Sequence, residues 1–281
     1  MIKLIATDLD NTMLTSRGGV AASSVRLLRK CANAGVAFAI ATGRSLYSAE
    51  AIAEKVGVEH WSICYNGALI TNTRTGETIS DDWLDEKTVR EIVAFCHERG
   101  LYMQMYDDNV ITVEKLQLDQ HPDPDLAFAP HREIGDFLKM PFFPTPKILV
   151  AAGSRVPEVQ NEMQAIFGDR VYLAQSESHL IEIMAAGTDK GAALMRLASR
   201  LGIDRSEIIA LGDNTNDLPL LQAAGVSVAV ANSVDVLKQA ATYIAAGERS
   251  RGFDEGIRKF VLPDSRTIRR RRTDTKAKEP V

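Results

Sequence analysis

Two carboxylates separated by a single residue follow the first apolar run of the chain. Asp8 and Asp10 come directly after residues 2–7 (IKLIAT), which are typical of a buried strand. Two carboxylates in different environments can divide nucleophilic attack and proton transfer between them, because burial and neighbouring charge separate their pKa values. The alternative is a solvated turn with a capping aspartate, since so short a motif occurs often by chance.

A second acidic group follows a later apolar run. Residues 212–217 read Gly-Asp-Asn-Thr-Asn-Asp and come directly after a predicted strand at 208–211. Carboxylate and amide oxygens clustered in this way suit a hard cation such as Mg²⁺. A helix N-capping turn would explain one acid of this group, but not both Asp213 and Asp217 at the same end of a sheet.

Two further groups have the chemistry to hold an anion. Thr42 and Gly43 follow a predicted strand at 36–41 and offer a hydroxyl and a backbone amide near a helix start, although Thr42 alone also suits an N-cap. Lys190 lies in the first turn of a predicted helix, where the helix dipole disfavours a cation unless an anion lies nearby. The alternative for Lys190 is a surface lysine whose stem lies along the protein.

The elements that must position these residues alternate between apolar strands and amphipathic helices. Such alternation predicts an α/β fold: a Rossmann-like parallel sheet with helices on both faces, whose ligands bind at the carboxyl ends of the strands. The four polar groups should therefore meet at one edge of the sheet. The predicted strands are 2–7, 36–41, 61–64, 68–71, 208–211 and 226–230, and the predicted helices are 22–34, 45–56, 189–201 and 215–224.

The pattern changes in the middle of the chain. Helices predicted at 86–99 and 156–167 are accompanied by short strands, and the irregular segment 114–146 holds six prolines. We therefore expect an inserted α+β cap domain. The expected units are a discontinuous core of residues 1–81 and 187–262, a cap of residues 82–186, and a basic, disordered tail of residues 263–281 that contains the run Arg269–Arg272.

Composition excludes several classes of protein. The 281 residues are 45% hydrophobic and carry a net charge of −4, which argues against a nucleic-acid binder that works through bulk charge. No apolar run reaches the length of a membrane span, and the first ten residues do not form a signal peptide. Three scattered cysteines favour a reducing compartment, so we expect a cytoplasmic protein without nucleic-acid or membrane partners.

Taken in order, these segments resemble the haloacid dehalogenase superfamily of phosphohydrolases. The similarity is greatest to the Cof-like subgroup with a large α/β cap, also called type IIB. For this chain the resemblance implies the fold of that subgroup and the activity of a phosphoric monoester hydrolase. The resembling segments are DLDNTML, AIATGR, YNGALI, LIEIMAAGTDKGAAL and ALGDNTNDLPLLQAAGVSVAVANS.

The resemblance also implies roles for individual residues. Asp8 would be the nucleophile that forms an aspartyl-phosphate, and Asp10 would be the general acid and base. The implied phosphate-binding residues are Thr42, Gly43, Lys190 and Asn216, with Arg44 reaching the substrate. Mg²⁺ would be held by Asp8, the backbone carbonyl of Asp10, Asp213 and, through water, Asp217.

The substrate implied by the resemblance is a small phosphorylated metabolite, such as a sugar phosphate or a phosphorylated cofactor. Two alternatives remain open at this point. A phosphomutase would use the same aspartate pair on sugar phosphates, and a non-catalytic binding protein would keep the scaffold without turnover. The sequence indicates neither the identity of the metabolite nor the oligomeric state.

Overall fold

The computed structural model describes residues 1–117, 129–175 and 177–262. The predicted tail at 263–281 and part of the proline-rich segment lie outside these residues. In chain order the strands are β1 (Leu4–Thr7), β2 (Ala37–Ala41), β3 (Trp61–Cys64), β4 (Leu69–Asn72), β5 (Glu77–Asp81), β6 (Tyr102–Asp107), β7 (Val110–Val113), β8 (His131–Glu133), β9 (Ile148–Ala151), β10 (Val171–Ala174), β11 (Leu180–Ala185), β12 (Ile208–Gly212), β13 (Val226–Ala229) and β14 (Tyr243–Ile244). The α-helices are α1 (Ala22–Asn33), α2 (Leu46–Val56), α3 (Glu86–Arg99), α4 (Val156–Phe167), α5 (Lys190–Leu201), α6 (Leu218–Ala223), α7 (Asp235–Ala240) and α8 (Arg249–Phe260).

The first sheet has eight strands in the order β14–β13–β12–β1–β2–β3–β4–β5. The six strands from β14 to β3 are parallel, and β4 and β5 continue the edge as an antiparallel hairpin. Because β12, β1 and β2 are neighbours, their carboxyl ends lie side by side. This order places the segments after Thr7, Ala41 and Gly212 together, as predicted for a Rossmann-like sheet.

Helices cover both faces of this eight-stranded sheet. Alternate residues of β1 point to opposite faces: Ile5 packs with α1, α2 and α8, whereas Leu4 and Ala6 pack with α5, α6 and α7. Both faces of β1 are fully buried, which explains why the strand is apolar along its whole length rather than alternating. The predicted α/β fold class is confirmed.

The second sheet has six strands in the order β10–β11–β9–β6–β7–β8 and is antiparallel except where β7 meets β8. Helices α3 and α4 pack on it through one apolar cluster that includes Val89, Ile92, Val159 and Met163. These positions follow the helical spacing that predicted the two helices. The six-stranded sheet uses only residues between β5 and α5.

Several elements near the end of the chain were not predicted, namely α7, β14 and α8, and α6 begins at Leu218 rather than at 215. Helix α8 is hidden in the sequence because its buried face consists largely of small or polar residues: Ser250, Gly252, Phe253, Asp254, Gly256 and Ile257. Only two of these are large and apolar, so α8 lacks the apolar stripe that predicted the other helices, although charged residues do follow the helical period on the opposite face. Within the described ranges, no helix combines the length and apolar character needed to cross a membrane.

Candidate active site

A small cavity opens where β1, β2 and β12 end, and residues of the six-stranded sheet close its other side. Its volume is about 70 Å³. Seven of the nine predicted site residues line it, which brings the separate motifs of the sequence to one place, and the other two, Lys190 and Asp217, are not among the lining residues. The lining residues are Asp8, Asp10, Asn11, Thr42, Gly43, Arg44, Lys147, Leu149, Glu177, Leu180, Glu182, Asp213, Asn214 and Asn216.

Asp8 and Lys190 form a buried ion pair at the base of the cavity. The backbone N–H of Asp8 donates to the carbonyl of Leu211 at 3.0 Å, so the residue extends the parallel register of β1 and β12. Its Oδ1 lies 2.8 Å from Nζ of Lys190, whose side chain has no exposed surface. Burial raises the pKa of Asp8 well above its ordinary value, because the favourable charge of Lys190 is outweighed by burial and by the nearby aspartates.

Helix α5 delivers Lys190 to this position. Asp189 caps the helix by accepting hydrogen bonds from the backbone N–H groups of Gly191 and Ala192, both at 2.8 Å. The ammonium of Lys190 then contacts Asp217 as well as Asp8, with an Nζ–Oδ1 distance of 2.6 Å to Asp217. Burial would lower the pKa of Lys190, but the two carboxylates raise it well above its ordinary value. The surface position that was the alternative for Lys190 is wrong.

Asp217 organises the loop that follows β12. Its Oδ2 accepts hydrogen bonds from the backbone N–H groups of Asp213 at 2.9 Å and Asn214 at 3.1 Å. The loop passes so close to this side chain that a Cβ on Gly212 would lie 2.6 Å from the Cβ of Asp217. Glycine is therefore needed at 212 for the loop to close around the carboxylate.

Asp213 lines the cavity, and a threonine hydroxyl holds its carboxylate. Its Oδ1 accepts a hydrogen bond of 2.7 Å from Oγ1 of Thr12, in the helical turn Leu9–Met13. Burial, followed by repulsion from Asp217, raises the pKa of Asp213 to about 7. A buried carboxylate with this pKa is stabilised in its ionised form by a cation.

The carboxylates of Asp8, Asp213 and Asp217 fit a divalent cation. All three side chains are buried, and one oxygen of each lies within 4.8 Å of the others. An all-oxygen donor set favours a hard ion such as Mg²⁺ over a soft one. Since both oxygens of Asp217 already accept hydrogen bonds, its geometry suits an indirect contact to the ion better than direct ligation.

Thr42 and Gly43 form a tight turn after β2. The Oγ1 of Thr42 accepts a hydrogen bond from the backbone N–H of Arg44 at 3.2 Å, and its carbonyl accepts one from the backbone of Asn66 at 3.0 Å. The alternative role of Thr42 as a helix N-cap is wrong, because Ser45 caps α2 instead. The turn therefore precedes the N-cap of α2, and both of its residues line the cavity.

Arg44 holds the side chain of Asp10. Its Nε and one terminal nitrogen lie 2.7 Å from the two carboxylate oxygens of Asp10, and the other terminal nitrogen lies 3.1 Å from Oγ of Ser48. This two-pronged geometry fixes the plane of the carboxylate. The predicted contact between Arg44 and a substrate stays a prediction, and the contact to Asp10 is one that the sequence did not indicate.

Three buried residues of the cavity region were missed by sequence reasoning: Asn66, Lys147 and Glu182. Asn66 follows β3 with a φ of +53°, Lys147 directly precedes β9, and Glu182 lies within β11. The sequence did contain a signal for Glu182, which is the single charged residue inside the apolar run LIEIM. A charge buried in a strand is costly without a partner, so this position indicates a buried interaction.

A second group of potential metal ligands lies among the residues between β5 and α5. His97, Glu114 and Asp136 have ligand atoms within 4.8 Å of one another. However, Nε2 of His97 already lies 2.7 Å from Oε1 of Glu114, and Nζ of Lys139 forms an ion pair with Oδ2 of Asp136 at 2.9 Å. These partly exposed contacts are those of an ordinary surface network.

Comparisons with known proteins find related sequences and a similar fold. A sequence model described as haloacid dehalogenase-like hydrolase matches residues 5–257. The putative phosphatase M6_Spy0533 of Streptococcus pyogenes serotype M6 is 29% identical over 276 residues, covering 93% of this chain and 99% of the relative. The 5-amino-6-(5-phospho-D-ribitylamino)uracil phosphatase YwtE of Bacillus subtilis is 25% identical over 275 residues, covering 89% and 95%. The crystal structure of a haloacid dehalogenase-like hydrolase from Bacteroides thetaiotaomicron superposes with a TM-score of 0.83 at 27% identity, covering 92% of this chain and 99% of the other.

Proposed function

The chain belongs to the haloacid dehalogenase-like hydrolases, and on this premise we propose that it is a Mg²⁺-dependent phosphatase that acts through an aspartyl-phosphate. The family confirms the sequence-based prediction of a hydrolase of the phosphatase type. The observation that carries the proposed mechanism is the buried contact of 2.8 Å between Asp8 and Lys190 at the cavity, where a carboxylate is held beside a cation that can also neutralise a phosphoryl group.

In the first step, an Oδ of Asp8 attacks the phosphorus of the substrate. A phosphorus–oxygen bond forms to Asp8, and the bond to the leaving oxygen breaks. Asp10 gives its proton to that leaving oxygen, so the product departs as an alcohol. Arg44 fixes the plane of the Asp10 carboxylate, and one of its two contacts must open for an oxygen of Asp10 to carry the proton.

In the second step, the same groups work in reverse. Asp10, now ionised, takes a proton from a water molecule, whose oxygen attacks the phosphorus. The bond between phosphorus and Asp8 breaks, which releases inorganic phosphate and restores the Asp8 carboxylate. Lys190, Thr42, the Gly43 backbone and Asn216 bind the phosphoryl oxygens through both steps, since positioning and charge neutralisation supply most of the catalysis in phosphoryl transfer.

The proposed cofactor is Mg²⁺, bound by Asp8, the backbone carbonyl of Asp10 and Asp213, with Asp217 contacting it through water. When bound, the ion offsets the repulsion between the Asp8 carboxylate and the negatively charged phosphoryl group. The chain's own contribution is to fix the donors: Thr12 orients Asp213, and Asp217 orients the loop that carries it.

The six-stranded sheet is the proposed cap. The division into a core of residues 1–81 and 187–262 and a cap of residues 82–186 follows the two sheets, because the cap's strands all lie between β5 and α5. Leu149, Leu180 and Glu177 of this part face the cavity opposite the aspartates. Closure of the cap over the substrate would exclude bulk water during the transfer.

The proposed substrate is a small phosphorylated metabolite, such as a sugar phosphate or a phosphorylated cofactor. The name of the Bacillus subtilis relative, a phosphatase of a ribityl-substituted uracil phosphate, supports including polyol phosphates in the search. The experiment is a screen of phosphorylated metabolites for phosphate release with Mg²⁺, with Asp8→Asn as the inactive variant. Asp235→Asn, on the exposed start of α7, is the matched control and should retain activity.

The two alternatives make different predictions in the same assay. A phosphomutase would convert a sugar monophosphate to its isomer in the presence of a sugar bisphosphate without releasing phosphate. That result would contradict the proposed hydrolase activity. A non-catalytic protein would release no phosphate from any compound, and Asp8→Asn would change nothing. Phosphate release that depends on both Asp8 and Mg²⁺ excludes both.

A further inference from the structure

A buried ion pair lies beside the cavity, outside the residues that carry the proposed reaction. Lys147 directly precedes β9 and Glu182 lies within β11, and their Nζ and Oε1 atoms are 2.7 Å apart. Their side chains are only 2% and 3% exposed, and the Lys147 ammonium also lies 4.8 Å from the centre of the Tyr106 ring. A buried ion pair is a poor source of stability, because the cost of removing two charges from water offsets their attraction. This pair therefore calls for another explanation.

Both members of the pair reach across to the eight-stranded sheet. Nζ of Lys147 donates to the backbone carbonyl of Gly43 at 2.8 Å, in the proposed phosphate-binding turn. Oε2 of Glu182 accepts a hydrogen bond of 3.0 Å from Nδ2 of Asn66. The contact is close, since a Cβ on Gly43 would lie 3.2 Å from both Oε1 of Glu182 and Oδ1 of Asn66. A side chain at residue 43 would crowd these two oxygens and push them away by a few tenths of an ångström.

Asn66 connects Glu182 to Asn216 of the proposed phosphate site through hydrogen bonds. Its Oδ1 accepts a hydrogen bond of 3.1 Å from Nδ2 of Asn216, and its backbone N–H donates to the carbonyl of Thr42. Asn66 is completely buried, so water does not compete for its amide. The side chains of Glu182, Asn66 and Asn216 thus form one continuous chain of hydrogen bonds.

The chain of hydrogen bonds has a fixed direction. An ionised carboxylate only accepts hydrogen bonds, whereas an amide can both donate and accept. Glu182, paired with Lys147, therefore requires Asn66 to present its NH₂ group to the carboxylate and its oxygen to Asn216. Asn216 must then donate to Asn66, which orients its NH₂ group, and one of the two hydrogens on Nδ2 is left for an anion in the cavity that Asn216 lines.

We propose that Lys147 and Glu182 are positioning residues that set the direction of the Asn66–Asn216 hydrogen bonds, so that Asn216 presents a donor to phosphate. This inference rests on the proposed function, in which Asn216 binds the phosphoryl group. It makes the phosphate site dependent on the six-stranded sheet, because the residue that sets the direction, Glu182, lies in that sheet while Asn66 and Asn216 do not.

The test is a thermodynamic cycle with inorganic phosphate as the probe, measured by calorimetry with Mg²⁺ present. Glu182→Gln removes the acceptor-only group, so either end of the Asn66 amide can face it. We expect phosphate affinity to fall about tenfold, the effect of one lost hydrogen bond to a charged group. In an Asn216→Ala background, which is itself weakened, Glu182→Gln should have almost no further effect on phosphate affinity, because it acts through Asn216.

Equal effects of Glu182→Gln in both backgrounds would overturn the inference, as would unchanged phosphate affinity in Asn216→Ala. Since Glu182→Gln leaves the Lys147 charge buried without its carboxylate, the double substitution Lys147→Met with Glu182→Gln is the second variant. It should show the same loss of phosphate affinity without the lone charge. Glu158→Gln, on the exposed face of α4, is the matched control and should bind phosphate like the unchanged chain.

Failure of the proposed function is visible separately in this experiment. If the unchanged chain hydrolyses no phosphorylated metabolite and binds no phosphate with Mg²⁺, the proposed function fails before any variant is compared. If the unchanged chain does both, but the cycle shows no coupling between Glu182 and Asn216, only the inference fails.

Discussion

The guanidinium of Arg44 contacts both carboxylate oxygens of Asp10 at 2.7 Å each. The arginine is nearly buried, whereas Asp10 is about half exposed at 45% of its side-chain surface. A half-exposed carboxylate is thus held by a nearly buried guanidinium, which also donates a hydrogen bond to Oγ of Ser48. For a proton donor, orientation toward the leaving oxygen matters as much as acidity, so the pairing has consequences for the rate.

Replacement of Arg44 by lysine should impair the transfer of a proton to poor leaving groups. Lysine keeps the charge but not the planar, two-pronged contact to Asp10. We expect kcat/KM for an alkyl phosphate to fall about 100-fold. An aryl phosphate should lose far less, because an acidic phenol departs without a proton. Arg26→Lys, on the exposed face of α1, is the control. Equal losses for the two substrates would contradict this role of Arg44.

Replacement of Lys190 by methionine should affect both activity and stability. The substitution leaves Asp8 and Asp217 buried without their cation. Breaking a buried pair in this way costs about 3–5 kcal/mol of unfolding free energy, which urea denaturation without added metal measures. Loss of a charge that stabilises the transferring group should lower kcat by about 100- to 1,000-fold.

The exposed Lys87→Met on α3 provides the comparison for Lys190→Met, and neither quantity should change in it. An unfolding free energy of Lys190→Met equal to that of the unchanged chain would mean that the aspartates do not depend on Lys190.

Thr12 should affect the affinity for Mg²⁺ although it is not a proposed metal ligand. Its hydroxyl donates to Oδ1 of Asp213 at 2.7 Å and orients that carboxylate. Outer hydrogen bonds of this kind change metal affinity by about 10–100-fold. Thr12→Val, which preserves the shape of the side chain, should therefore raise the Mg²⁺ concentration for half-maximal activity by that factor. Thr12→Ser should restore it, and a metal dependence identical in all three proteins would contradict the prediction.

The pair of Glu50 and His60 should make stability depend on pH. Burial opposes ionisation of Glu50, but hydrogen bonds from His60, Ser62 and Thr73 lower its pKa from 4.5 to about 2. Burial likewise opposes protonation of His60, but its bonds to Glu50 and to the carbonyl of Val58 raise its pKa above 6.5. The stabilisation from Glu50 is lost as the pH falls from about 4.5 toward 2, and that from protonated His60 is lost as the pH rises through its raised pKa.

Glu50→Gln should consequently destabilise the protein more at about pH 5.5, between these limits, than at an alkaline pH above the raised pKa of His60, where the imidazole is neutral. Unfolding free energies at the two pH values measure this difference. Glu54→Gln, exposed on the same helix, should show no such dependence. A penalty for Glu50→Gln that is the same at both pH values would show that the charge of His60 contributes nothing.

The sequence was sufficient to predict which residues meet at one edge of the sheet, because Asp8, Thr42 and Asp213 each follow an apolar strand of a parallel sheet. Local rules connect such a position to one edge of the sheet without knowledge of distant contacts. The same rules failed for α8, whose buried face carries two glycines and an aspartate. There the neighbouring backbone approaches so closely that a Cβ on Gly252 would overlap the carbonyl oxygen of Gly247, and this contact replaces the usual apolar stripe.

Contacts between the two sheets were beyond the reach of local patterns. Lys147 and Gly43 are 104 residues apart, and Asn66 and Glu182 are 116 apart, so neither pairing follows from spacing within an element. The pairing of Arg44 with Asp10 was missed for a similar reason, since it depends on β1 and β2 being neighbours in register. Such contacts become visible only when the sheets are assembled.

We propose that the Asp8 carboxylate attacks phosphorus, and trapping the phosphorylated form of Asp8 is a direct test of this step. Asp10→Asn should still be phosphorylated by an aryl phosphate, which needs no proton for departure, but should hydrolyse the aspartyl-phosphate slowly for want of a base. Acid-quenched protein, cleaved and analysed by mass spectrometry, should then carry one phosphoryl group on the peptide that contains Asp8. Turnover by the unchanged chain with no phosphoryl group on that peptide in Asp10→Asn would contradict the account.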